Sequence, residues 1–394
     1  MEPMSRFKNL DYFLFIPYII MSVIGIIMVY SASANIGIQN GGSPLSYFKK
    51  QLFYVILSVI IVVLMSRFKL SKLRNKQFLS SLEIIFFIVL VGLLAFGATV
   101  NGAAGWIRIG PFSLQPAEFV KFFLIIRLAN IIDAKQAIIT RSAADWWGQL
   151  WPTMVRCGIL IILIFAQPDA GGAAINFAIV FVIFMTSGIS WKKAVSFLFG
   201  GVVLVYAAIN FILVPMSKSS MFSNSYQLQR IIAFTNPFGH ATGAGQQLVN
   251  SYYAISNGGL FGVGLGNSVQ KTGYLPEPNT DFIMSILTEE LGAIGAICVM
   301  ALLTFIIART VLLGIRSNST YQSLICYGVA TYLTIQTLFN MGGVLGALPI
   351  TGVTFPFISY GGSSILTLSL CLGLVLNVSN RQREARRALQ ATTN

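Results

Sequence analysis

The chain has 394 residues, of which 55% are hydrophobic and only 10% charged, with a mean hydropathy of +0.76. Soluble domains carry about 25% charged residues, so this composition excludes a soluble globular enzyme and indicates an integral membrane protein. The formal net charge of +14 does not imply nucleic acid, because cytoplasmic loops of membrane proteins collect Lys and Arg for orientation alone.

Ten apolar stretches predict ten membrane-spanning helices, at roughly 12–34, 51–66, 79–99, 116–132, 152–166, 171–187, 193–215, 282–308, 322–346 and 357–378. Each is close to the ~20 residues needed to cross hydrocarbon. The first has a charged approach and a small-residue end, like a signal peptide, but its length predicts a retained helix. The fold class expected is an all-α polytopic membrane protein forming one integral domain over 1–394. Residues 216–281 would form a large extracellular loop between the seventh and eighth spans, and 379–394 a basic cytoplasmic tail. Seventeen of the Lys and Arg residues fall on the side of both termini, against six on the other. That bias predicts cytoplasmic termini in a plasma membrane.

Unusual polar sequence collects on the outward side: 101–121, QPDAGGA at 167–173, the 216–280 loop and 347–364. The cytoplasmic loops are short, basic and plain. Cys157, Cys298, Cys326 and Cys371 lie in apolar runs without metal-ligand spacing, and His240 has no histidine partner, so neither a disulfide framework nor a zinc site is expected. The glycine-rich GGLFGVGLG at 258–266 matches neither a dinucleotide fingerprint nor a P-loop and reads as a flexible or close-packed loop.

Asp281 stands out among only twelve Asp and Glu residues, because a carboxylate at a membrane boundary is costly to keep. Thr280 is placed to cap a helix starting at Asp281, which would put the acid in the first turn, where many acids merely complement the helix dipole. Asp281, Ser285, Thr288 and Gly292 fall on one face and predict a polar stripe leading inward, with Glu289 and Glu290 deeper in the span. Glu118 and Lys121 lie three apart at the outer end of the fourth span, so they share a face and can pair. Gln115 precedes a proline suited to the first helical turn. Arg108, Arg230 and Lys271 are outward cations that could bind phosphate or remain solvated. Asp169 is placed to cap the sixth span. Ser359 and Ser363 bring hydroxyls without an adjacent base, which argues against a serine nucleophile.

Seven segments in order along the chain, among them GWIRIGPFSLQPAEFVK (105–121), LPEPNTDFIMSILTEELGAIG (275–295) and NMGGVLGALPITGVTFPFISYGGSS (340–364), resemble the SEDS family of FtsW, RodA and SpoVE. The 266–283 stretch is most similar to its FtsW members. Departures are mild: Ala117 stands where the family usually has Ser, and Pro278–Asn279 replaces a commoner Ala–His. The resemblance implies an inverting peptidoglycan glycosyltransferase that polymerises lipid II on the outer face. Asp281 would be its general base, with Glu118, Lys121, Gln115, Arg108, Arg230, Lys271, Ser359 and Ser363 supporting substrate. It implies a divalent metal, magnesium or manganese, of unknown ligands. It also implies a class B penicillin-binding transpeptidase and other divisome membrane proteins as partners, at the division septum. A lipid II flippase, an elongation polymerase of RodA type and a non-catalytic division scaffold are the competing expectations. A flippase would need a polar path from both faces, and a scaffold would tolerate loss of Asp281.

Overall fold

The computed structural model describes residues 10–39, 43–100, 103–110, 112–188, 233–243 and 245–393, together with Lys192, Val195, Ser196, Phe199, Gly200, Gly201, Val203 and Arg230. The span expected at 193–215 lies mostly outside the described residues. In chain order the described helices are α1 (Tyr12–Gln39), α2 (Ser46–Ser66), the single turn α3 (Leu70–Leu73), α4 (Lys76–Phe96), α5 (Pro116–Ile139), α6 (Ala143–Ala166), α7 (Ala170–Met185), α8 (Gln246–Gly258), α9 (Ile283–Ile315), α10 (Thr320–Val344) and α11 (Gly362–Thr393). The result is a polytopic helical membrane fold.

Six of these helices are both long and apolar enough to cross a membrane: α1, α2, α4, α6, α9 and α11. α7 is apolar but shorter, and α5 and α10 have the length with more polar sequence. Burial explains the difference: α5 faces protein on most sides and carries Glu118, Lys121, Arg127 and Asp133 there. A helix shielded from lipid does not need a uniformly apolar surface.

Local signals set the helix ends. Asn75 accepts from the N–H groups of Gln77 and Phe78 at the start of α4, and Ser142 accepts from Asp145 N at the start of α6. Both satisfy donors that the first turn leaves open. Pro116 opens α5, where its missing N–H is no loss. The residues from 379 continue α11 to Thr393.

Among the described residues the fold is all-α apart from one small feature that the sequence reading did not anticipate. Residues 98–100, 103–109 and 112–114 form a three-stranded antiparallel sheet, β1–β2–β3, with Arg108 opposite Ser113 in the β2–β3 hairpin. The strands are only three to seven residues long, too short to show a clear two-residue alternation beside long apolar runs.

α11 packs along α2, while α10 is flanked by α5, α7 and α9. At the terminal end, buried Asp11 accepts from Arg309, Arg383 and Ser379, binding the N-terminus to α9 and α11. Asn377 donates to Met65 O and Phe68 O, satisfying carbonyls at the end of α2.

Candidate active site

At the opposite end of the bundle, the 275–282 segment is held by hydrogen bonds to its backbone. Tyr360 N donates to Asn279 O at 2.8 Å, Ser359 Oγ to Thr280 O at 2.6 Å, and Asn340 Nδ2 to Asp281 O at 2.7 Å. Asn340 also donates to Val353 O, so one side chain joins the Asp281 turn to the 351–354 segment. Asp281 is therefore positioned by two elements remote in sequence, α10 and the 359–360 turn.

Helix α9 starts at Ile283, two residues after Asp281, and has no side-chain cap. Thr280 Oγ1 donates instead to Glu277, within the turn. The stripe below Asp281 is likewise occupied: Ser285 Oγ meets Ser251 Oγ of α8, and Thr288 donates to Met284 O. It joins helices rather than forming a path from Asp281.

α9 is broken at Gly292 (φ 73°, ψ 178°), and the glycine-rich turn fills the break. Val263 N and Gly264 N donate to Glu289 O and Glu290 O, while Ala293 N and Ile294 N donate to Gly259 O and Leu260 O. A Cβ on Gly262 would lie 2.2 Å from Glu290 O, so the backbones touch where only glycine fits. GGLFGVGLG is thus a close-packed loop. Glu289 accepts from Asn257, Ser268, Val269 N and Gln270 N. Glu290 accepts from Ser31 at 2.6 Å and from Lys271 Nζ at 2.6 Å. Both acids anchor the 268–271 segment that precedes Asp281.

These elements enclose a cavity of about 660 Å³. Its wall includes Asp281, Arg230, Gln115, Glu118, Lys271 and Ser363 among the residues singled out from sequence. Asp169, Glu277, Trp106, Tyr47, Tyr54, Tyr360 and the 351–354 segment also line it.

A Cβ on Gly352 (φ +76°) would lie 3.1 Å from Arg230 Nη2 and 3.4 Å from a carboxylate oxygen of Asp281, so acid and guanidinium converge on this glycine. Burial pushes Asp281 up to about 7; Arg230 pulls against that shift and Glu277 adds to it. Desolvation outweighs the cation because removing a carboxylate from water penalises its charged form. A carboxyl poised near neutrality can accept a proton at working pH.

The other wall is a chained polar set. Lys121 is 1% exposed, and its Nζ lies 2.5 Å from Glu118 and over the ring of Tyr332, whose hydroxyl donates to Glu118 at 3.0 Å. Glu118 faces the cavity while Lys121 lies behind it, outside the lining, so Lys121 acts on the site through Glu118. Gln115 Nε2 donates to Asp169, which caps α7 through Gly172 N, and Gln115 N donates to Ser363 Oγ. Burial pushes Asp169 up, with Gly172 N, Lys121 and Arg230 opposing and Glu118 adding.

Arg108 is exposed on β2 and is not part of the cavity wall. Ser359 serves the Asp281 turn from behind. Glu277, four residues before Asp281, is the neighbour that sequence reasoning missed; its place in the same polar PEPNTD stretch was the available signal. Asn340 and the tyrosines gave no such signal, since their roles depend on helices meeting.

Among the described residues no three His, Cys, Asp or Glu side chains form a metal-binding group. Glu277 and Asp281 both line the cavity. One or two carboxylates with substrate phosphates suffice for a magnesium-type ion, so these are the side chains whose chemistry could hold one.

A sequence model of the family described as "Cell cycle protein", FtsW/RodA/SpoVE, matches residues 11–384. The chain is 40% identical to the probable peptidoglycan glycosyltransferase FtsW of Lactococcus lactis, over 95% of this chain and 94% of that one. It is 34% identical to stage V sporulation protein E of Bacillus subtilis, over 95% and 98% respectively. Among solved structures, one described as "Structural coordination of polymerization and crosslinking by a peptidoglycan synthase complex" superposes with TM-score 0.72 at 25% identity, covering 95% of this chain and 98% of the other. The Thermus thermophilus rod shape determining protein RodA shares the fold, with TM-score 0.65 at 24% identity and coverage of 95% and 97%.

Proposed function

This chain belongs to the FtsW/RodA/SpoVE family, and from that premise we propose that it is a peptidoglycan glycosyltransferase acting at its outer-face cavity. The observation that carries the reading is the convergence of Asp281 and Arg230 on one wall, with burial bringing the acid to about 7. In this reading the substrate is lipid II, and ten spans place both termini in the cytoplasm. The strong relatedness to proteins named FtsW favours a septal role over elongation.

Asp281 takes the proton of the acceptor sugar's 4-hydroxyl as that oxygen bonds to the donor's anomeric carbon. The bond from that carbon to the lipid diphosphate breaks, and its electron pair leaves with the diphosphate, inverting the centre. Negative charge therefore develops on phosphate oxygens, where a preorganised cation lowers the barrier. Arg230 is the cation on the wall beside Asp281. Lys271 also lines the cavity, but its Nζ is tied to Glu290 and Ser31, so its first task is holding the loop. Glu118, supported by Lys121 and Tyr332, forms the opposing polar wall and orients substrate hydroxyls. A divalent ion held by Asp281 and Glu277 would neutralise diphosphate charge when bound.

The acids deeper in the span would suit a flippase's polar path, but Glu289 and Glu290 are engaged by Ser268 and Lys271 of the segment that precedes Asp281, which favours the polymerase reading. A class B penicillin-binding transpeptidase is the proposed partner, in keeping with the crosslinking assembly to which the fold is similar. The test is polymerisation of purified lipid II by the purified chain, with and without chelator and transpeptidase. Glycan strands from wild type and none from folded Asp281→Asn are expected; equal synthesis by both would overturn the base assignment.

A further inference from the structure

Far from this cavity, α4, α5 and α6 bring three charged side chains together within the apolar body. Arg127 Nη2 lies 3.0 Å from Glu83 and Arg156 Nη1 lies 3.5 Å from the same oxygen, giving two cations to one anion. Arg127 is 9% exposed and pairs closely, with its Nε buried and without a hydrogen-bond partner. The Arg156 side chain is 46% exposed and makes only long contacts beyond Glu83, to Pro152 O at 3.3 Å and Thr153 Oγ1 at 3.5 Å.

The depth of the cluster decides what can answer its surplus charge. Glu83 lies seven residues into α4 from Lys76, about 10 Å along the axis. Exposed Trp147 and Trp151 on α6 mark an interfacial belt at the same end of the bundle. Arg156 lies five residues beyond Trp151, about 8 Å deeper. An exposed guanidinium at that depth faces lipid, where an uncompensated charge is expensive and a long side chain reaches back toward the headgroups.

We propose that the Glu83–Arg127–Arg156 cluster binds the phosphate of an anionic phospholipid, in the leaflet on the side of the chain termini. Arg156 makes the direct contact, while Arg127 neutralises Glu83 and so leaves Arg156 for the lipid. The phosphate comes from lipid rather than from solution, because Arg156 opens sideways into hydrocarbon.

The purified full chain in neutral detergent can be titrated with phosphatidylglycerol or phosphatidylcholine and bound lipid counted by native mass spectrometry. Phosphatidylglycerol should bind in preference, and Arg156→Gln should weaken it about fivefold, the loss of one interfacial cation. Arg156→Lys should restore part of the binding. An unchanged thermal transition for Arg156→Gln separates lost binding from lost fold. Equal retention of the two lipids by wild type, undiminished phosphatidylglycerol binding by folded Arg156→Gln, or displacement by millimolar inorganic phosphate would each overturn the assignment.

Discussion

Replacing Arg230 by Gln removes the positive charge that opposes protonation of Asp281, whereas replacing Glu277 by Gln removes the negative charge that favours it. The two substitutions should therefore move the pH–rate profile in opposite directions. In the wild type the ionised base accumulates through about pH 7, so kcat/KM should rise about tenfold from about pH 6 to about pH 8. Arg230 and Asp281 lie 3.1 Å and 3.4 Å from the same Cβ position on Gly352. For charges of that order of separation, taken as ~6 Å, the interaction is ~0.7 kcal/mol in bulk water and ~3 kcal/mol at an effective dielectric constant of about 20. That range corresponds to about half a pH unit to two. Arg230→Gln should raise the midpoint by such an amount, and Glu277→Gln should lower it. The assay is initial-rate polymerisation of fluorescent lipid II across pH, read by gel. Arg230→Gln should also reduce the maximal rate through weaker diphosphate contact, but amplitude does not move a midpoint. A flat wild-type profile, or midpoints moving the same way in both variants, would refute Asp281 as the titrating base.

Asp281→Asn should abolish synthesis yet stabilise the protein. The folded pKa of about 7 exceeds the unfolded carboxyl value of ~3.9, so the native state holds the extra proton between them and loses relative stability as pH rises through that window. The stabilisation should therefore be larger at about pH 8 than at about pH 5, by about 3 kcal/mol, as thermal melts at the two pH values check. Glu289→Gln replaces an acceptor-only carboxylate by an amide that turns a donor toward four donors, and should cost about 2–4 kcal/mol in denaturant melts. Gly292→Ala would set a Cβ 2.2 Å from Leu260 O at φ +73°; limited proteolysis should show earlier cleavage in 258–275 and activity should fall. Lys121→Met should leave Glu118 at the cavity wall without its cation and lower kcat at least tenfold, and Glu118→Gln/Lys121→Met should lose less than the two single changes combined, as a double-mutant cycle checks.

Much of this protein was legible before any coordinates. Apolar length and scarce charge specify a polytopic membrane chain, because hydrocarbon admits few other backbones than helices. Three-residue spacing foretold the Glu118–Lys121 pair, and scarcity alone singled out Asp281. Local pattern failed where the deciding contact was long-range. Thr280 has the chemistry of a cap, yet the Asp281 turn is held from outside by Asn340, Ser359 and Tyr360, so the helix starts later and Thr280 turns to Glu277. Glu289 and Glu290 read as isolated intramembrane acids because their partners lie on α1, α8 and the loop that closes over a broken helix. The proton affinity of Asp281 was undecidable from sequence, where neighbouring cations and burial pull in opposite directions. Only the packed structure sets that balance: desolvation depends on which elements cover the acid, and here it outweighs Arg230.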